Sequence, residues 1–293
     1  MQITEELQHI FQSRSWLSWV VSAILIVMVS ITYYYVRVSK HTKPNTNIDQ
    51  NISVQQEEAV EKHENTSKPE KKERQNTKDL IKITLIPGET SEIFLENVAK
   101  KLDINATKLW NSYQVLAKYP EAAISADTYL VPPKMNEKKL IKFLLASSER
   151  AYEKLAIEAY GIYDRTQWLR ILTIASIIQK EAANNQEMPF IASVIFNRLK
   201  KHMRLQMDGT LNYGKYSHIK VTPERIKTDT TTFNTYKHRG LPLSPIGSVG
   251  KQAIKAAISP AKTKYLYFMR NKDGVHDFTD TFKKHRKNIK KLQ

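Results

Sequence analysis

The stretch TQWLRILTIASIIQKE, residues 166–181, decides the fold and suggests the chemistry. Ile171, Ile174 and Ile178 recur at three- and four-residue spacing, with Ile177 one turn below the end. That period predicts an amphipathic helix, capped at its start by Thr166 or Asp164. The stripe continues to Glu181, whereas Gln179 and Lys180 point elsewhere. A carboxyl on an apolar face is partly desolvated, which disfavours its charged form and suits a general acid near neutral pH. On this helix alone, snorkelling into water or pairing with Arg198 or Arg204 is the more ordinary fate of Glu181.

Working outward, Ala182-Ala183-Asn184-Asn185 makes a turn, and Pro189 starts a second helix through Lys200 whose face Ile191, Val194, Ile195 and Leu199 is ordinary core. Upstream, Lys138 to Tyr160 reads as a long amphipathic helix. Before it lies a small unit. Leu80–Ile86 is a strand candidate closed by Pro87-Gly88, and Ser91–Leu102 is helical with Phe94, Val98 and Leu102 on one face. Asn105 caps a second helix, and Ala126–Pro133 returns as a strand. This β-α-α-β order over residues 79–135 resembles a LysM module, which implies either glycan binding or a degenerate version kept for packing.

Nearer the start, Ser15–Val36 is a run of 22 residues without a charge. As a helix it spans roughly 33 Å, enough for a hydrocarbon core of about 30 Å. Trp16 and Trp19 at one end and Tyr33-Tyr34-Tyr35 at the other fit interfacial belts. A cleaved signal peptide would have a shorter apolar region and a small-residue cleavage site, which Tyr-Tyr-Tyr-Val-Arg does not supply. The expected order is a cytoplasmic tail (1–14), a transmembrane helix (15–37), a tether (38–78), the LysM-like module (79–135) and a catalytic domain (136–293). The tether mixes both charge signs with almost no large apolar side chain, so it cannot bury enough surface to order itself. The expected fold class is therefore α+β: a single transmembrane helix, a small β-α-α-β module and a mixed α/β catalytic domain.

Charge is distributed unevenly. The chain of 293 residues carries 46 Lys+Arg against 29 Asp+Glu, a formal net charge of +17. Residues 201–293 hold 20 of those bases and 6 of the acids, so the basic character belongs to the C-terminal third. No nucleic-acid motif accompanies it. Zero cysteines exclude a disulfide framework, a thiolate metal site and a cysteine nucleophile. No metal-ligand spacing, phosphate loop or Ser/His/Asp order appears, so no metal or cofactor is expected.

Several blocks now combine. Ile174–Ala182 and Ile191–Leu199 are followed by Met203-Arg204-Leu205-Gln206-Met207-Asp208-Gly209-Thr210-Leu211-Asn212-Tyr213-Gly214. Phe233-Asn234-Thr235-Tyr236, Gly240-Leu241-Pro242-Leu243-Ser244-Pro245-Ile246, Ala256–Ala261, Tyr265–Phe268 and His276-Asp277-Phe278 come next, in that order. Together they resemble the MltG (YceG-like) endolytic murein transglycosylase family over about residues 166–287. Gln179-Lys180-Glu181 replaces the family's E-K-E, which leaves Glu181 to carry the catalytic role. Gly209 stands where the family has proline, Leu243-Ser244 replace Pro-Gly, and Ser248-Val249-Gly250 replace asparagine, proline and glycine.

The resemblance implies non-hydrolytic cleavage of the β-1,4 bond between N-acetylmuramic acid and N-acetylglucosamine in nascent glycan strands, leaving a 1,6-anhydro ring. Glu181 would act as acid and then base. Gln206, Asp208, Asn234 and Tyr236 would bind substrate, with capping of the Asp208-Gly209 turn an equal alternative for Asp208. Ser176 would orient Glu181 or simply pack, and a lone His276 reads as structural. The implied partners are peptidoglycan strands, the membrane and neighbouring peptidoglycan synthases, with no nucleic acid. Local charge, Arg37, Lys40 and Lys43 against Arg14, would put the large part in the cytoplasm. Polymerised glycan exists only outside, which favours a plasma-membrane protein with its catalytic domain extracytoplasmic. The rival classes are a non-catalytic cell-wall tether and a basic polyanion binder.

Overall fold

The computed structural model describes residues 80–292, in which eight α-helices surround two separate antiparallel strand pairs, an α+β architecture. The expected tail, transmembrane helix and tether lie outside the described residues. No helix among the described residues is long and apolar enough to cross a membrane.

The first layer is the small unit. Strand β1 (Ile81–Thr84) pairs with β2 (Thr128–Val131), Ile81 opposite Val131. Between them run helices α1 (Ser91–Leu102) and α2 (Ala106–Leu116). The Asn105 side chain accepts from the Lys108 N–H, the cap its position implied. α1 ends at Asp103 in the left-handed region, φ 51°. The β-α-α-β order is thus present, with shorter strands than the apolar runs suggested.

Helix α3 (Glu137–Tyr160) follows and belongs to two cores. Its first half places Leu140, Ile141 and Leu144 against Ile83, Phe94, Leu109 and Val131. Its second half places Tyr152 and Ala156 in a larger cluster with Trp168, Leu172, Ile174, Ile191, Ile195 and Ile254. The Tyr152 hydroxyl donates to the Ala122 carbonyl at 2.9 Å, and its ring lies 5.9 Å from that of Trp168.

The larger core is centred on α4 (Arg165–Glu181), capped by Asp164, whose carboxylate accepts from the Gln167 N–H at 2.8 Å. Ile174, Ile177 and Ile178 are fully buried, as the period predicts. α4 packs against α5 (Met188–Lys200), which has Pro189 in its first turn, and against α7 (Lys251–Ile258); the short α6 (Pro223–Thr228) lies in the connecting segment. The hairpin β3 (Tyr267–Arg270) and β4 (His276–Thr279) follows, and α8 (Phe282–Leu292) ends the described chain.

The small unit is stitched to the rest through two loops. The Gly88 N–H donates to the Ser248 carbonyl at 3.0 Å, and the Ser248 N–H returns a bond to the Glu89 carbonyl at 2.8 Å. The Ser248 hydroxyl donates to the Ile86 carbonyl, and the Ala126 N–H to the Val249 carbonyl. A Cβ on Gly247 would sit 3.1 Å from the Gly88 carbonyl oxygen, so the approach requires a residue without one.

One buried acid lies near this seam. The Glu121 carboxylate accepts from the Ser91 N–H at 2.8 Å and from the Ser91 hydroxyl at 2.9 Å. Burial pushes its pKa up to about 7, against the partial relief of those bonds and of the Lys180 charge. The folded state therefore holds this proton more tightly than the unfolded chain. Its contribution makes stability fall as pH rises from about 4.5 to about 7 and level off above. Urea unfolding of Glu121→Gln should match the parent near pH 4.5 and exceed it by about 3 kcal/mol at pH 8. A pH-independent difference between the two would refute this assignment.

Candidate active site

Glu181 is the last residue of α4, where the apolar stripe of the helix runs out. Its Oε1 accepts a hydrogen bond from the Gly209 N–H at 2.7 Å. Nothing among the described residues forms an ion pair with it. Arg198, one of the partners its position left open, instead donates from Nε to the Leu266 carbonyl and from Nη1 to those of Leu205 and Arg204. Its guanidinium also lies 5.2 Å from the centre of the Tyr267 ring. Arg198 therefore welds the segment after α5 to the hairpin and affects Glu181 only through its charge. Burial is the main cause that lifts the Glu181 pKa to about 7; the Gly209 bond and Arg198 oppose it, and the Asp208 charge adds to it.

The N–H that meets Glu181 is placed by the motif between Leu205 and Leu211. Leu205 and Met207 are inserted into the core, while Gln206 between them is exposed and left-handed at φ 49°. The Gln206 N–H donates to the Thr235 carbonyl, and the Met207 N–H to the Thr235 hydroxyl oxygen at 3.1 Å. Thr210 donates to the Met207 carbonyl at 2.7 Å and also meets Thr235, closing a tight turn over Asp208–Leu211. A Cβ at Gly209 would lie 2.8 Å from both Glu181 Oε1 and Lys180 Cβ. Close approach thus demands glycine here, and a proline would also remove the donating N–H.

The substrate-binding candidates fall in different places. The Asp208 side chain is exposed and accepts from the Tyr236 hydroxyl at 2.5 Å. Burial, followed by the Asp208 carboxylate, raises the Tyr236 pKa, so this phenol remains a donor. Gln206 faces solvent beside them. Asn234 is fully buried: its amide donates to the carbonyls of Ile226 and Asp229, and its Oδ1 accepts from the Tyr236 N–H at 3.1 Å. It reaches the site by fixing the residue that carries the phenol. Ser176 donates to the Thr173 carbonyl and accepts from the Ile246 N–H, and Gln179 accepts from the Gly250 N–H. Both brace the end of α4 rather than touching Glu181. His276 hydrogen-bonds through Nδ1 to Glu187 at 2.8 Å, a structural pairing.

Thr235 and the Gly209 N–H are the elements that reading the sequence missed. A threonine between Asn234 and Tyr236 carries no distinctive chemistry in the sequence, and a backbone donor leaves no side-chain signal. The one trace is glycine itself at a position where the motif has proline.

The sequence pattern of the YceG-like family matches residues 29–291. The chain belongs to the YceG-like family. Among proteins similar to this YceG-like chain, the endolytic murein transglycosylase of Bacillus subtilis (strain 168) is 42% identical over 119 residues, covering 40% of this chain and 33% of that protein. The protein of the same name from Streptococcus pneumoniae serotype 2 (strain D39) is 28% identical over 221 residues, 68% of this chain and 39% of its own length. The chain therefore spans between a third and two fifths of the curated relatives it matches. A 2.6 Å crystal structure of a yceG-like protein from Listeria monocytogenes superposes with a TM-score of 0.60 at 25% identity, covering 88% of this chain and 89% of that one.

Because the Asp208 charge adds to the raised Glu181 pKa, Asp208→Asn should lower the Glu181 midpoint from about 7. Carboxyl carbon NMR of protein labelled at glutamate, with Glu181→Gln to assign the signal, reads it directly. A midpoint unmoved by the substitution would show that Asp208 does not act on Glu181.

Proposed function

We propose that this protein is a membrane-anchored lytic transglycosylase that cuts nascent peptidoglycan strands internally, at the β-1,4 bond following N-acetylmuramic acid, and so limits strand length. The observation that carries the reading is a carboxyl with its pKa near 7, presented at a helix end and held by one backbone N–H. Membership of the YceG-like family and the names of the relatives support the substrate class.

The geometry divides the labour between the two carboxyl oxygens. The carbonyl-like oxygen of a protonated carboxyl is the better acceptor, so we assign that role to Oε1, which meets the N–H, and the proton to Oε2. That proton passes to the glycosidic oxygen as the bond to muramic C1 breaks, releasing the N-acetylglucosamine 4-hydroxyl. Glu181, now a carboxylate, takes the proton of the muramic 6-hydroxyl as its oxygen closes on C1. No water is consumed, and the acid is regenerated. The substrate supplies its own nucleophile, so the second carboxylate of a hydrolytic pair is unnecessary. With the Tyr236 proton held by Asp208, the phenol oxygen and the remaining Asp208 oxygen offer acceptors to sugar hydroxyls and N-acetyl N–H groups beside the break.

The rest of the reading concerns location. Residues 15–37 would anchor the chain in the plasma membrane with its folded part outside, close to the synthases that make the strands. The 39-residue stretch 40–78 gives a root-mean-square reach of roughly 35 Å. For the LysM-like unit we favour the packing role, because its loops at Ile86–Glu89 and Ala126 are bonded to Ser248 and Val249 of the same chain.

Incubated with polymeric peptidoglycan, the protein should release fragments ending in anhydro-muramic acid. Glu181→Gln should reduce that release at least ~100-fold, the usual weight of general acid–base catalysis. Release retained by the mutant would end the catalytic assignment, and none from the parent would favour a wall tether. The first step needs protonated Glu181, so kcat/KM should fall as pH rises through about 7. A reporter active only in the cytoplasm, fused after residue 293, should be silent; activity would reverse the topology.

A further inference from the structure

The excess of positive charge has a specific location. Helix α8 carries Lys283, Lys284, Arg286, Lys287, Lys290 and Lys291 and no acid. With about 100° per residue and Phe282 at zero, the six cations fall between about 40° and 200°. Phe282, Ile289, Leu292, His285 and Asn288 occupy the other side. That side rests on the hairpin: His285 stacks on Tyr267 at 5.3 Å, and Phe282 lies 5.8 Å from the same ring. The contact is incomplete, because Phe282 remains 56% exposed and Ile289 36% exposed. All six cations are exposed, and an open groove of about 850 Å³ runs along Phe282, Lys283, Lys284, Arg286, Lys287 and Lys290. Among the described residues, the one carboxylate that engages a cation of α8 is Asp280, paired with Lys284 at 2.9 Å.

We propose that α8 is a docking surface for an anionic phospholipid bilayer, laying its basic face on the headgroups with Phe282, next to Arg286 on the wheel, at the margin. A soluble polyanion would satisfy the lysines but would gain nothing from the half-exposed Phe282 ring. The boundary of a bilayer accepts both. The chain also carries an uncharged run of 22 residues, Ser15–Val36, separated from the domain by the 39-residue, mostly polar stretch Lys40–Lys78. A tether of roughly 35 Å confines the domain to the neighbourhood of the bilayer, so even a weak surface attraction is populated. The choice of bilayer rests on the membrane-anchor reading of that run; the charge geometry of α8 does not. Docking would hold the domain down over its membrane-proximal substrate instead of letting it sweep the full tether length.

The chain has no cysteine, so Thr281→Cys on the exposed edge of the groove can be labelled uniquely with a polarity-sensitive dye. The full-length protein is reconstituted into phosphatidylcholine vesicles with or without an equal part of phosphatidylglycerol. Blue-shifted emission is expected with phosphatidylglycerol alone. It should be lost at about 1 M salt, where screening reaches roughly 3 Å, and in the Lys283→Glu, Lys287→Glu, Lys290→Glu triple variant. Circular dichroism and the peptidoglycan assay check that this variant is folded. No shift in anionic vesicles, or an equal shift in neutral ones, would overturn the proposal. So would an equal shift on adding a DNA oligonucleotide to neutral vesicles, which would make α8 a general polyanion site. Resistance to carbonate extraction reads the anchor separately. If the chain does not insert, the same dye in protein mixed with preformed vesicles still reports docking.

Discussion

The hydrogen bond from the Gly209 N–H to Glu181 Oε1 joins parts of the molecule with little else in common. Its acceptor ends a helix whose stretch Leu172–Ile178 is core, and its donor is a backbone group in a turn far along the chain. Bringing them to 2.7 Å requires that the turn carry no Cβ, that Leu205 and Met207 be buried on either side of a left-handed Gln206, and that Thr235 hold the segment from behind. Arg198 holds the start of that segment through the carbonyls of Arg204 and Leu205 and ties it to that of Leu266. The reward is a carboxyl that is desolvated enough to keep its proton near neutrality yet oriented by a single donor. A second donor would have stabilised the anion and pulled the pKa back toward the ordinary range.

Much of this was legible because it follows from periodicity. The spacing of Ile174 and Ile178 buried them and carried Glu181 to the helix end, and Asn105 and Asp164 capped the helices they precede. What could not be read was anything that depends on backbone groups or on segments far apart. Asn234 has the side chain of a sugar ligand, but its amide was needed by two carbonyls released where α6 ends. Arg198 had the charge to pair with Glu181, but free carbonyls at Leu205 and Leu266 lie within its reach and fit its planar fork. In both cases local polar groups competed for a side chain whose type alone suggested chemistry. Asp208 and Tyr236 read in the sequence as separate ligands, whereas in the structure a hydrogen bond couples them.

The order in which the contacts become available is a further property of the fold. The smaller core draws on residues from Ile83 to Leu144, a contiguous span that can collapse as soon as that length of chain exists. The larger core needs Ile246, Val249 and Ile254, and the seam to the small unit closes a loop of 162 residues between Ile86 and Ser248. Contacts of such separation form late, because the entropy of closing the loop must be met before they contribute. For a chain that emerges from its N-terminus, the small unit is therefore a finished platform while the turn that carries Gly209 is still unsupported. The pairing of Glu181 with the Gly209 N–H is complete only when the last third of the sequence has folded back onto the first folded piece, so an incompletely made chain lacks it.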